Sequence, residues 1–195
     1  MQNYDSQLKN VFKERRKYEM LDGKIYFMAC VTPTHNLITG NILNIFSNYL
    51  RGKKCRVFVY GLDVKFNEKD KTVPDVMIVC NRDIIKENWI EGAPDLIVEV
   101  LSPSTAEHDI GYKKDLYEKH GVKEYWIVSQ TDRSIQVHLL KGGVYKLDKL
   151  YQIYADHTLE AMDEDEKSAI IKEFKTSLYD DLIISVEEVF ENVEL

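Results

Sequence analysis

One stretch limits the fold of this chain more than any other. Residues 96–101 read Leu-Ile-Val-Glu-Val-Leu, entered through Pro94-Asp95 and left through Ser102-Pro103. A short apolar run rich in β-branched residues, bounded by turn formers, reads as a buried strand at the centre of a sheet. Glu99 stands in its middle. A buried carboxylate without a partner is expensive. Three partners are open to it: a Lys or Arg, a proton with a hydrogen bond, or a metal ion.

The flanking patterns surround that strand with both helices and strands. Residues 6–19 read as a charged helix. Asp22-Gly23 is a hairpin signal, which predicts a strand over residues 24–29. Leu37, Ile38, Ile42, Leu43, Ile45, Phe46, Tyr49 and Leu50 recur at three- and four-residue spacing. They predict a helix over residues 34–50 with Thr34 as its N-cap. Residues 55–66 form one long strand or two short ones about Gly61, and "PDVMIVC" forms another. A polar connection carrying Trp89 leads to the central strand. Residues 105–120 read as one helix closed by Gly121. "EYWIVS" is a strand, and "SIQVHLLKGGVYKLDKL" is a hairpin about Gly142-Gly143. This order predicts one α/β domain over residues 1–195 with a mixed sheet flanked by helices. Residues 156–195 are an acidic extension packed on the same domain and end in the amphipathic "ISVEEVFENV".

Charge bears on the choice of partner. The net charge is −7, but residues 156–195 hold 13 acids and 3 lysines, leaving 20 acids and 23 bases in residues 1–155. The body is mildly basic, so a nucleic-acid substrate stays open while tight nonspecific binding does not. "RGKKCR" and "KERRK" are the basic clusters. No apolar run approaches the roughly 18 residues of a membrane span, and the N-terminus has no signal-peptide core. The expectation is a cytoplasmic protein with no membrane partner. Cys30, Cys55 and Cys80 are widely spaced, with no CxxC pair. They read as small buried hydrophobes, with neither a zinc site nor a disulfide framework.

Alternation along the strand puts Asp95, Ile97, Glu99 and Leu101 on one face. Asp95 lies about 13 Å from Glu99, too far to share an ion. Asp75 opens a neighbouring apolar strand, and its carboxylate can lie beside Glu99. Two carboxylates with an open side suit Mg²⁺ or Mn²⁺. On the following helix Asp109, Tyr112, Lys113, Leu116, Tyr117 and His120 share a face. Leu116 and Tyr117 make that face the inward one, so Lys113 points at the sheet. The resulting constellation is Asp75, Glu99 and Lys113, a set suited to metal-assisted phosphodiester hydrolysis. Ser102 and Ser104 lack a G-x-S-x-G elbow and read as turn and capping residues. Tyr125 and Trp126 read as core.

"YEMLDGKIYFM", "PTHNLITGNI", "VPDVMIV", "DLIVEVLSPST", "DIGYKKDLYEKHGVKEYWIV" and "SLYDDLIISVEEVF" together resemble the Uma2-type (DUF820) branch of the PD-(D/E)XK restriction-endonuclease-like superfamily. The resemblance implies a restriction-endonuclease-like core and a divalent-metal site. Asp75 and Glu99 would be its acids and the Val100 carbonyl a further ligand. It also places Glu19 and His35 at family positions. The superfamily pattern wants lysine at position 101, where this chain has Leu101; the Uma2-type pattern moves it to the next helix, at Lys113. The expected function is a Mg²⁺- or Mn²⁺-dependent endonuclease acting on DNA, with a homodimer to cut both strands. The alternative is a nuclease-fold module that has lost catalysis and serves in protein or nucleic-acid interaction.

Overall fold

The computed structural model describes residues 17–28, 30–59, 61–103 and 105–193. Thirteen strands and six helices are named here in chain order. The first part holds β1 (Tyr18–Leu21), β2 (Lys24–Phe27), α1 (Pro33–Leu50), β3 (Arg56–Val59), β4 (Asp63–Lys65), β5 (Lys71–Thr72), β6 (Val76–Val79) and β7 (Trp89–Glu91). The middle holds β8 (Leu96–Val100), α2 (Ala106–Ile110), α3 (Tyr112–His120), β9 (Glu124–Ser129), β10 (Ser134–Lys141) and β11 (Val144–Gln152). The last part holds α4 (Asp156–Ala161), α5 (Glu164–Ser168), β12 (Glu173–Lys175), β13 (Ile183–Ser185) and α6 (Val186–Val189).

The main sheet has the order β11-β10-β9-β8-β6-β3. β8 pairs parallel with β9 and antiparallel with β6, and all five of its residues are buried. On one face Leu96, Val98 and Val100 meet Ile38, Ile42 and Phe46 of α1. Burying side chains of this size stabilises by about 1.5–3 kcal/mol each. Phe174, Ile184, Val186 and Val189 join the same core, so the acidic segment's apolar residues seal this face. On the other face Ile97 joins Leu116 and Tyr117 of α3, with Leu21, Val64 and Ile90 from a second sheet of order β2-β1-β5-β4-β7. Glu99 points into this second layer.

Several boundaries differ from the sequence reading. Tyr18 and Glu19 open a strand rather than end a helix; the helix expected over residues 6–16, most of "KERRK", the strand end at Ala29, and Ser104 lie outside the described residues. Thr32, not Thr34, caps α1: its side chain accepts from the His35 N–H at 3.1 Å. Pro33 supplies no N–H and so suits the first helical position. Residues 55–66 make two strands in different sheets, β3 and β4, with Gly61 at φ +82° between them. Trp89 lies in β7, which pairs parallel with β4, and not in a bare connection. The helix expected over residues 105–120 breaks at Gly111 (φ −100°, ψ −99°), where a Cβ would lie 3.0 Å from the Glu107 carbonyl. Gly121, at φ +84°, closes α3 as expected.

The cysteine reading is corrected too. Arg56 pairs with Val79, which makes Cys55 and Cys80 the next facing pair of that antiparallel ladder, and they form a disulfide. Cys30 is exposed. A disulfide is uncommon in a reducing cytosol, so the cysteine pair and the cytoplasmic expectation pull in opposite directions. The bond closes a sequence separation of 25 residues. Thermal melts with and without reductant should show the oxidised protein stabilised by about 2–4 kcal/mol. A Cys55→Ser protein should melt at the same temperature in both.

His138 is a second buried group without a polar partner. It packs beside Tyr125 and Tyr145, and neither ring nitrogen has a hydrogen-bond partner among the described residues. Burial, with the Lys114 charge adding to it, pulls its pKa down to about 4. The unfolded chain therefore binds a proton that the folded chain refuses as pH falls below about 6.5. Stability from this residue is complete above that pH and is lost as pH falls towards the folded pKa. Urea unfolding at pH 7 and pH 4.5 should show an extra loss on the order of 2 kcal/mol in the wild type relative to His138→Phe. Equal pH slopes would contradict this.

Candidate active site

The register of β6 on β8 sets the site. Val76 faces Val98, so one step outward Asp75 lies opposite Glu99. Asp75 Oδ2 accepts the Val100 N–H at 2.8 Å and meets His35 Nε2 at 3.1 Å. The first turn of α1 delivers that histidine, and its imidazole also feels the Val100 carbonyl. Glu99 Oε1 accepts from the Tyr117 hydroxyl at 2.7 Å and from Lys113 Nζ at 3.3 Å. Lys113 Nζ further pairs with Asp109 Oδ1 at 2.8 Å and Glu19 Oε1 at 2.9 Å. Glu19 comes from β1 of the second sheet and also accepts the Val73 N–H at 2.9 Å. Glu19, His35, Asp75, Glu99, Val100 and Lys113 all line one cleft of about 840 Å³, open mouth included. The structure thus brings every candidate residue to one place.

The charges there do not balance. Four carboxylates, Glu19, Asp75, Glu99 and Asp109, face one lysine and one histidine. Burial, above all, pushes the Glu99 carboxyl well above the usual range; Lys113 opposes this, while Asp109, Asp75 and Glu19 add to it. Burial alone would lower the Lys113 ammonium, but Glu99, Glu19 and Asp109 outweigh it and hold the lysine protonated. Burial would likewise lower His35, but the hydrogen bond and charge of Asp75, with Asp109 and the Val100 carbonyl, outweigh it and raise it. Burial and the nearby Glu99 and Glu19 charges keep the Tyr117 hydroxyl protonated, so it donates.

Residues 1–162 match the family described as "Uma2: Putative restriction endonuclease". The chain belongs to the Uma2 family. It is 34% identical over 128 residues to an uncharacterized protein of Synechocystis sp., covering 65% of this chain and 67% of that one. Its fold is similar to a crystal structure described as a putative nuclease belonging to DUF820 from Anabaena variabilis. The TM-score is 0.66 at 19% identity, with 89% of each chain covered. The mixed sheet flanked by helices is therefore the nuclease-type fold that the sequence pattern implied.

In this Uma2 chain the lysine position of the broader superfamily is apolar. Leu101 packs with the second core, and its N–H bonds the Val128 carbonyl. Other features of the sequence fall away from the cleft. Asp95 accepts the Cys80 N–H and pairs with Lys123, each at 2.7 Å, which is the work of a strand-opening residue. Tyr125 and Trp126 are core. The "RGKKCR" cluster follows the end of α1 opposite His35, about 24 Å away at 1.5 Å per residue. There Arg56 donates to the Lys53, Lys54 and Cys55 carbonyls.

Two members of the site went unnamed in the sequence. Asp109 was placed on the inward face without a role, although its i,i+4 spacing from Lys113 was a signal for an ion pair. Tyr117 was read as an apolar mark, and its hydroxyl is what holds Glu99. A second buried carboxylate, Glu124, is satisfied by neutral donors alone: Trp126 Nε1, and the Ser177 N–H and hydroxyl, each at 2.6 Å. That contrast separates a structural carboxylate from the crowded acids of the cleft.

The donor set fits Mg²⁺ or Mn²⁺. Among the described residues no three His, Cys, Asp or Glu side chains are gathered as a ready-made cage. Mg²⁺ rarely uses one: it takes one or two carboxylates and completes its shell with waters and substrate phosphate oxygens. Asp75 and Glu99 supply two carboxylates in adjacent register, with the Val100 carbonyl beside them. The surplus of acid over base favours a cation.

Proposed function

We propose that this Uma2 protein is a Mg²⁺- or Mn²⁺-dependent endonuclease that hydrolyses DNA phosphodiester bonds in the Asp75–Glu99 cleft. The observation that carries this reading is the surplus of buried carboxylates at the cleft floor, with Asp75 and Glu99 side by side. The family and the DUF820 neighbour, both described as nucleases, support it.

Asp75, Glu99 and the Val100 carbonyl are the residues that would hold the ion. When bound it would supply an activated water and stabilise charge on the phosphate. His35 holds Asp75 in place through Nε2. Tyr117 and Lys113 fix Glu99 Oε1 and leave its other oxygen for the cleft. Lys113 stays protonated, so it is not a base; its positive charge at the back of the cleft opposes negative charge developing on the substrate. Glu19 and Asp109 anchor that ammonium and are positioning residues. One such site cuts one strand, so cleavage of both strands of a duplex calls for two copies, as in a homodimer.

A second reading is a nuclease-fold module without catalysis. The saturation of Lys113 by three carboxylates and the apolar Leu101 favour it. Supercoiled plasmid incubated with Mg²⁺ or Mn²⁺ separates the two. Nicking that EDTA abolishes, and that Asp75→Asn slows by about 10²-fold or more, is expected. Intact plasmid with both metals, under conditions where the protein is folded, favours the second reading.

A further inference from the structure

The cleft has walls as well as a floor, and the walls have a different chemistry. Tyr26 and Phe27 end β2, the edge strand of the second sheet, and Val31 follows on the same side. His108 of α2 stands across from them, its ring 4.6 Å from that of Tyr26. Phe27 is 53% exposed and Val31 50% exposed, so large apolar side chains face water at the mouth. Lys113 is the one lysine or arginine lining the cleft among the described residues, and three carboxylates already hold it.

That wall suits one form of nucleic acid. Proteins that grip a duplex do so largely through Lys and Arg on its phosphates, and those are missing from the cleft lining. A duplex keeps its bases stacked inside and shows an aromatic wall only sugar and phosphate. An unpaired strand offers bare base faces, which stack on aromatic side chains with little regard to sequence.

We propose that the cleft takes an unpaired nucleotide of a DNA strand, its base stacked on the Phe27–Tyr26 wall and its phosphate at the Asp75–Glu99 floor. This rests on the nuclease reading for the floor and deepens it by naming the form of substrate. Single strands, flaps and frayed ends are then cut in preference to intact duplex.

The test compares a labelled oligonucleotide, single-stranded and annealed to its complement, in Mn²⁺. The single strand should be cut at least about ten-fold faster, the weight of one base–aromatic stack. Phe27→Ser should raise KM for the single strand by about the same factor with little change in kcat, and Phe27→Trp should restore it. Phe27 is exposed, so both variants should fold. Equal rates on single strand and duplex, or a Phe27→Ser protein like wild type, would overturn the stacking proposal and leave the nuclease reading standing. Cleavage of neither would count against the nuclease reading. Fluorescence anisotropy in Ca²⁺ would then judge the cleft by itself: a single-strand preference lost in Phe27→Ser supports the proposal, and equal or absent binding overturns it.

Discussion

A Glu99→Gln protein should fold and should cleave DNA about 10³-fold more slowly than wild type, the scale of losing one charged group aimed at the reacting centre. Glutamine keeps the volume and keeps an acceptor for the Tyr117 hydroxyl. What it removes is the charge. Lys113 keeps Asp109 and Glu19, so no ammonium is stranded. The crowding that pushes the Glu99 carboxyl upward is relieved, so the stability change should stay within about 1 kcal/mol. Rates on nicked plasmid, paired with urea unfolding of the same preparation, separate the two effects. Activity within a few-fold of wild type would remove Glu99 from the metal site and leave it as a structural partner of Lys113.

Removing Lys113 should do the opposite, harming the fold first. Lys113→Met leaves Glu19, Glu99 and Asp109 facing one another in a closed space. Deleting one partner of a buried ionic cluster typically costs about 3–5 kcal/mol. A domain of this kind holds only about 5–15 kcal/mol in total. Urea denaturation should show the loss directly. Lys113→Arg should recover part of it, because the charge returns in a larger head. Adding Glu99→Gln to Lys113→Met should recover part as well, because one carboxylate charge is gone; a strictly additive double variant would mean that the two side chains are not coupled. Wild-type stability in Lys113→Met would contradict the ionic cluster itself.

Much of the fold was legible because the strongest patterns sit in the core. The apolar period of α1, the solid runs of β6, β8 and β9, and the Gly142-Gly143 hairpin each follow from burial alone. The boundaries that moved were set by local competition. Pro33 takes the first helical position and hands the cap to Thr32. Gly111 breaks a helix whose side-chain period runs on across the break, so Asp109 and Lys113 meet as they would in one helix. The Cys55–Cys80 bond was hidden because it depends on cross-strand register, which spacing along the chain does not display. At the site, alternation and helical facing sufficed to point Glu99 and Lys113 at each other. They did not reveal that Glu19 would arrive from another sheet, or that the Tyr117 hydroxyl would be the nearest donor to Glu99. Those contacts belong to tertiary packing, where residues far apart in sequence share one space.

The most direct measurement is calorimetric titration of the purified protein with Mn²⁺, run beside Asp75→Asn and Glu99→Gln. Binding by the wild type, weakened about ten-fold or more in each variant as for a lost ligand, is the expected result. A wild type that takes up no Mn²⁺, or variants that bind it as well as wild type, would contradict the metal site and return Glu99 to the role of a buried ion-pair partner.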